Sequence, residues 1–189
     1  MTEARKVPLL NVANVLTVSR LVLVPVFLVM LFTNGGHDNH WRLIAFGVFA
    51  IASFTDQVDG NLARKYGLIT DFGKIADPIA DKALTGSALV GLSILGDLPW
   101  WITVLILVRE WGVTLLRFWV IRYGVIAASP GGKAKTLLQV IAIGLFLLPL
   151  PAYLVPVAWV AMGAAVVLTV VTGVDYVIRA YRLRAIRTS

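Results

Sequence analysis

The chain contains no cysteine. That absence excludes a disulfide framework, a thiolate metal site and a cysteine nucleophile. Charge is scarce as well: Asp, Glu, Lys and Arg make up 14% of the 189 residues, where a soluble domain typically carries ~25%. Histidine occurs only at His37 and His40, flanking Asp38 and Asn39 in a turn-rich stretch. That setting suits a solvated loop better than a metal centre. What remains is apolar: 59% of residues are hydrophobic and the mean hydropathy is +0.85. An ordinary soluble enzyme, a disordered chain and a coiled coil are thereby excluded, which leaves an integral membrane protein.

Length limits the architecture. A spanning helix takes ~20 residues, so six of them would use roughly 120 and leave the rest for short loops and helix ends. The apolar stretches fit that count. They run from about Val12 to Phe32, Trp41 to Tyr66, Phe72 to Leu95, Trp100 to Tyr123, Lys135 to Leu148 and Leu154 to Ile178. The breaks between them are rich in Gly, Pro and Asn, as in Asn34-Gly35-Gly36 and Leu148-Pro149-Leu150-Pro151. The runs are continuous and lack period-2 alternation, which argues against a β-barrel. The first stretch shows no small-residue cleavage pattern after it and is read as a retained helix, not a signal peptide. The expectation is an all-α polytopic membrane protein with six transmembrane helices, forming a single domain over residues 1–189.

Basic residues set the orientation. The chain carries 17 Lys and Arg against 10 Asp and Glu, a net charge of +7. In so apolar a chain this excess reads as a topology signal, and no nucleic-acid partner is expected. Arg5, Lys6, Arg64, Lys65, Lys74, Arg122, Lys133, Lys135 and the tail from Arg179 to Arg187 fall on one side of the plan, and Arg42 alone on the other. Both termini are therefore expected in the cytoplasm. The basic tail suits anionic lipid headgroups, and Asp175 is spaced to pair with Arg179 at i,i+4. Trp41, Trp100 and Trp101 suit the outer interface.

The second and third segments are apolar in their outer halves and acidic in their cytoplasmic halves. Five of the 10 acidic residues lie between Asp56 and Asp81. Asp56 and Asp59 are spaced i,i+3, and Asp77 and Asp81 are spaced i,i+4, so each pair shares a helix face. Asp71 stands apart, where a carboxylate would cap the start of the third helix. If the two helices form a hairpin, four carboxylates converge and repel unless cations sit among them. An all-oxygen donor set suits hard cations such as Mg²⁺ or Mn²⁺, and paired cations serve displacement at phosphorus. Gly60, Ala63, Gly73, Ala76 and Ala80 leave room for close helix approach. A solvated acidic face at two helix ends is the plainer alternative.

These residues also carry a resemblance. Asp56-x2-Asp59-Gly60-x2-Ala63-Arg64-x8-Gly73-x3-Asp77-x3-Asp81 fills every specified position of the signature of the CDP-alcohol phosphotransferases. Members of that family pass a phosphoalcohol or phosphatidyl group from a CDP-linked donor to an alcohol and release CMP. The resemblance implies that Asp56, Asp59 and Asp77 hold metal, that Asp81 completes a second metal position and acts as general base, and that two cations serve each active site. It also implies that Gly60, Ala63 and Gly73 lie against the nucleotide, with Asp59 and Arg64 serving the same donor. Asn14, Thr17 and Arg20, in an Asn-x-Leu-Thr-x-x-Arg stretch similar to bacterial members, would add to the CDP-donor site. A homodimer is implied in the same way.

Shorter matches point to a branch. Ser53-Phe54-Thr55 before the signature, Asp77-Pro78-Ile79-Ala80-Asp81-Lys82 at its end, Arg109-Glu110-Trp111, and Lys133-x-Lys135-Thr136 resemble the phosphatidylglycerophosphate synthase branch. Its substrates are CDP-diacylglycerol and glycerol 3-phosphate, and its setting would be the bacterial cytoplasmic membrane with the site facing the cytoplasm. The acceptor is a dianion, and fixed cations would have to meet its phosphate. Arg109 and Arg117 in the fourth segment and Lys133 and Lys135 near the fifth are the candidates. For Arg109 a structural ion pair is the competing reading, with an Asp or with Glu110, although adjacent helical positions point apart. For the lysines, ordinary topology charges compete with a phosphate at a helix start. Three rivals stay open: a relative using inositol phosphate or phosphatidylglycerol as acceptor, a cation transporter with access from both sides, and a noncatalytic scaffold.

Overall fold

The computed structural model describes residues 12–66, 71–120 and 130–188, with side chains over 15–55, 79–80, 82–119 and 131–183. Among the described residues the chain is all helical. Its six α-helices are α1 (Val12–Phe32), α2 (Asn39–Tyr66), α3 (Asp71–Ile94), α4 (Trp100–Val120), α5 (Pro130–Leu147) and α6 (Val155–Thr188). Two stretches, Val15–Gly36 and Ala152–Leu183, are long and apolar enough to cross a membrane.

Local chemistry sets the helix ends. After α1 the chain turns through Asn34 (φ 53°), Gly35 (φ 76°) and Gly36 (φ 78°), a left-handed run that only Gly and Asn adopt at little cost. Asp38 then caps α2: its Oδ1 accepts from the backbone N–H groups of His40 at 3.0 Å and Trp41 at 3.1 Å. α3 ends in a Schellman motif around Gly96 (φ 82°). The N–H of Asp97 donates to the Leu92 carbonyl at 2.9 Å, and that of Gly96 to the Ser93 carbonyl at 3.2 Å. A buried contact of 2.7 Å between the Ser93 and Thr103 hydroxyls then ties this turn to α4.

Two helices differ from the sequence expectation. α5 starts at Pro130, not near Lys135. The Pro130-Gly131-Gly132 stretch, expected as a flexible approach, is the helix's own first turn, because proline suits the first helical position where its missing N–H is no loss. α6 runs through the basic tail to Thr188 instead of ending near Ile178. Arg, Leu and Ala in that tail favour helix, and the expected pair Asp175–Arg179 forms at 2.9 Å.

The chain divides into two compact units. The first comprises Met1–Gly91 and Leu147–Pro149. In it α1 packs along α2 through Phe27, Leu31, Ala45, Phe49 and Ala52, all buried, with the Phe27 and Phe49 rings 6.0 Å apart. α3 approaches α1 at Gly91, where a Cβ would fall 2.6 Å from Leu31 Cδ2. The second unit comprises Leu92–Phe146 and Leu150–Ser189. Ile102, Ile106, Ala142, Ile143, Ala158, Met162 and Ala165 are buried, and Phe146 meets Trp159 edge to face at 5.0 Å. Outward-facing Val104, Val108, Leu115, Phe118, Val160 and Val167 are exposed. Such a surface suits lipid better than water.

Candidate active site

The acidic motif lies on two uninterrupted helices. Asp56, Asp59, Gly60, Ala63 and Arg64 belong to α2, and Gly73, Asp77 and Asp81 to α3. Helical backbone at these positions means that each aspartate pair occupies one face of its helix. α3 begins at Asp71, the position expected to mark its start. The side chains of these residues, and that of Asn14, lie outside the described residues.

The first unit's described side chains surround this motif in sequence. Thr17 and Arg20, one turn apart on α1, are each 1% exposed. Ser53, one turn before Asp56 on α2, is buried and its Oγ has no hydrogen-bond partner. Thr85, one turn after Asp81 on α3, is also buried. Ser53 and Thr85 had no individual role in the sequence reading, although a hydroxyl at helical spacing from a signature aspartate could have flagged either one.

The second unit gathers cations around one carboxylate. Arg109 and Glu110 on α4 are each 17% exposed at the side chain. Arg109 Nη1 donates to Glu110 Oε1 at 3.1 Å. The same oxygen receives the Nζ of Lys135 from α5, a lysine only 2% exposed. Arg109 Nη2 donates to Thr172 Oγ1 on α6 at 2.7 Å. The expectation that Arg109 and Glu110 would not pair is thus overturned. The two Cα–Cβ bonds diverge, but the long arginine stem folds back so that its guanidinium reaches the neighbouring carboxylate.

The other two acceptor candidates are not tied to Glu110. Lys133 is exposed on the first turns of α5. The guanidinium of Arg117 lies 6.0 Å over the Tyr176 ring, within cation–π range. Among the described residues no hydrogen bond or ion pair joins either one to Glu110. Two residues of α6 escaped the sequence reading. Thr172 and Gly173 both meet Arg109. In the sequence they are a small polar interruption in the sixth apolar run, and only that interruption signals them.

The sequence profile of the CDP-alcohol phosphatidyltransferases matches residues 10–171. The chain belongs to that family. Among similar proteins, one from Mycobacterium tuberculosis H37Rv named "Probable phosphatidylglycerophosphate synthase" is 63% identical over 172 residues, covering 91% of this chain and 82% of the relative. A Bacillus subtilis protein named CDP-diacylglycerol–glycerol-3-phosphate 3-phosphatidyltransferase is 39% identical, covering 88% of this chain and 93% of the relative. A Rickettsia bellii protein of the same name is 36% identical with the same coverages, 88% and 93%.

Proposed function

We propose that this protein transfers a phosphatidyl group from CDP-diacylglycerol to sn-glycerol 3-phosphate, giving phosphatidylglycerophosphate and CMP. The observation that carries the reading is the complete signature from Asp56 to Asp81 in a chain of this family. The names of its relatives support the choice of acceptor.

The donor set on α2 and α3 fits divalent metal. Asp56, Asp59, Asp77 and Asp81 offer oxygen only, in pairs at helical spacing, as Mg²⁺ or Mn²⁺ requires. These four would hold two cations. When bound, the cations supply positive charge for the donor's diphosphate and for the CMP that departs. Asn14, Thr17, Arg20, Gly60, Ala63, Arg64 and Gly73 bind the rest of the CDP group. Asp81 takes the proton from the primary hydroxyl of glycerol 3-phosphate. That oxygen bonds to the phosphorus carrying the diacylglycerol, the bond from this phosphorus to the CMP oxygen breaks, and CMP leaves. Arg109 and Lys135, with Arg117 and Lys133, meet the acceptor's phosphate.

Six spanning helices, a bacterial cytoplasmic membrane, and termini and active site on the cytoplasmic face complete the reading, together with a homodimer. The soluble acceptor then arrives from the cytoplasm while the lipid tails stay in the bilayer. Purified protein with CDP-diacylglycerol, Mg²⁺ and a panel of alcohols tests it through CMP release. Glycerol 3-phosphate is expected to be the best acceptor. Glycerol should be poor, since a charge-assisted contact contributes about 1.5–3 kcal/mol. Preference for inositol phosphate or phosphatidylglycerol would reassign the acceptor, and no CMP from any alcohol would sink the transferase reading in favour of cation transport.

A further inference from the structure

Thr172 and Gly173 on α6 are adjacent residues that no signature position accounts for, and both bear on Arg109. Thr172 Oγ1 donates its proton to the Leu168 carbonyl at 2.6 Å. Its lone pairs are thereby turned toward Arg109 Nη2, from which it accepts at 2.7 Å. Gly173 provides the second contact. A Cβ there would lie 3.2 Å from Arg109 Cγ and 3.5 Å from Nε, so the arginine stem lies close along the α6 backbone at a position without a side chain. Arg109 Nε is buried with no hydrogen-bond partner, a cost that calls for an explanation other than stability. At the far side of the guanidinium, Nη1 and Lys135 Nζ share Glu110 Oε1.

A carboxylate at position 172 would orient the guanidinium and also cancel its charge. A hydroxyl orients it and leaves the charge for a ligand. Phosphate recognition needs that direction, because a planar guanidinium offers its N–H groups along fixed lines. We propose that Thr172 is a positioning residue for acceptor binding: with Gly173 it fixes the Arg109 guanidinium and, through Glu110, the seat of Lys135, so that the acceptor's phosphate meets cations already arranged. This inference rests on the reading of glycerol 3-phosphate as acceptor.

The near-isosteric Thr172→Val removes the acceptor oxygen. It should raise the KM for glycerol 3-phosphate roughly tenfold, leave the KM for CDP-diacylglycerol unchanged, and be rescued by Thr172→Ser. Gly173→Ala keeps every hydrogen-bonding group but presses on Arg109 Cγ, and should raise the same KM by a smaller factor. A Thr172→Val protein with lowered Tm and a wild-type KM for glycerol 3-phosphate would overturn the proposal, as would an equal rise in both KM values. If Thr172→Val does not fold, Gly173→Ala decides by the same split: a selective rise supports positioning, and unchanged constants overturn it. Wild-type protein with the acceptor panel separates the two failures. Turnover of another alcohol but not glycerol 3-phosphate removes the acceptor reading itself. Normal turnover of glycerol 3-phosphate with unmoved KM values in the variants removes only the positioning role.

Discussion

The two compact units carry opposite charge problems. In the first, α2 and α3 carry aspartates in pairs at i,i+3 and i,i+4, like charges on one helix face. In the second, Arg109 and Lys135 converge on Glu110, which holds both through one oxygen. On the proposed reading the aspartates would take their counter-charge from divalent cations, whereas Arg109 and Lys135 already have one in Glu110. The difference separates two kinds of dependence. Perturbing the first unit should register on metal and donor, and perturbing the second on acceptor.

The sharpest way to break that division is to remove metal. EDTA should abolish CMP release, and Mg²⁺ or Mn²⁺ should restore it. Asp59→Asn should mimic the chelator, weakening metal and CDP-diacylglycerol binding together, if the donor's diphosphate is met by cations held there as proposed. Titration of a CDP-donor analogue with and without Mg²⁺ reads this directly. Full turnover in chelator with no bound metal would end the two-cation scheme.

Asp81→Asn is expected to have the next largest effect, of a different kind. It keeps size and one oxygen but removes the carboxylate proposed as base, so kcat should fall ~10²–10⁴-fold while part of the donor affinity survives. If donor binding disappears as completely as in Asp59→Asn, Asp81 is chiefly a ligand. The proton must then leave by another route, such as the acceptor's own phosphate.

The two units also differ in how far they can be read from sequence. The aspartate motif lies within one stretch of two consecutive helices, so periodicity alone pairs its carboxylates. α1, bounded by an apolar run and an Asn-Gly-Gly turn, takes the expected limits Val12–Phe32. The cluster of the second unit is non-local. Arg109 and Thr172 are 63 positions apart, and no spacing rule links them. Its one local pair, Arg109–Glu110, defeats the periodicity rule because that rule describes where Cβ atoms point and not where a long flexible side chain ends. The α5 start at Pro130 and the α6 end at Thr188 shifted for a related reason. Hydropathy marks apolar length, while helix ends follow capping and propensity.

Glu110→Gln sharpens the comparison from the other unit. It leaves two poorly hydrated cations facing a neutral amide, and removing one partner of a buried ion pair costs about 3–5 kcal/mol. Glu110 retains some exposure, so the lower end is expected, seen as a clear drop in Tm. The KM for glycerol 3-phosphate should rise, and Mg²⁺-dependent binding of the donor analogue should persist. Loss of donor binding on the scale of Asp59→Asn would mean that the two kinds of dependence are not separable.

The smallest effect is expected at Asp175, where a charge pair has neither burial nor a ligand to serve. Its contact with Arg179 is 2.9 Å long, but the side chains are 44% and 53% exposed. Water screens such pairs, and ordering two mobile side chains offsets much of the attraction, so a surface pair of this kind contributes about 0.5 kcal/mol. Asp175→Asn should therefore leave Tm nearly unchanged. It also frees Arg179, so the basic end of α6 should bind anionic headgroups no less well. Neither KM should move, because the cluster around Arg109 takes its orientation from Thr172 and Glu110. A selective change in the KM for glycerol 3-phosphate would show that α6 transmits strain from Asp175 to Thr172, nearly one helical turn away. The acceptor arrangement would then depend on the whole basic end of that helix, beyond the contacts at Arg109.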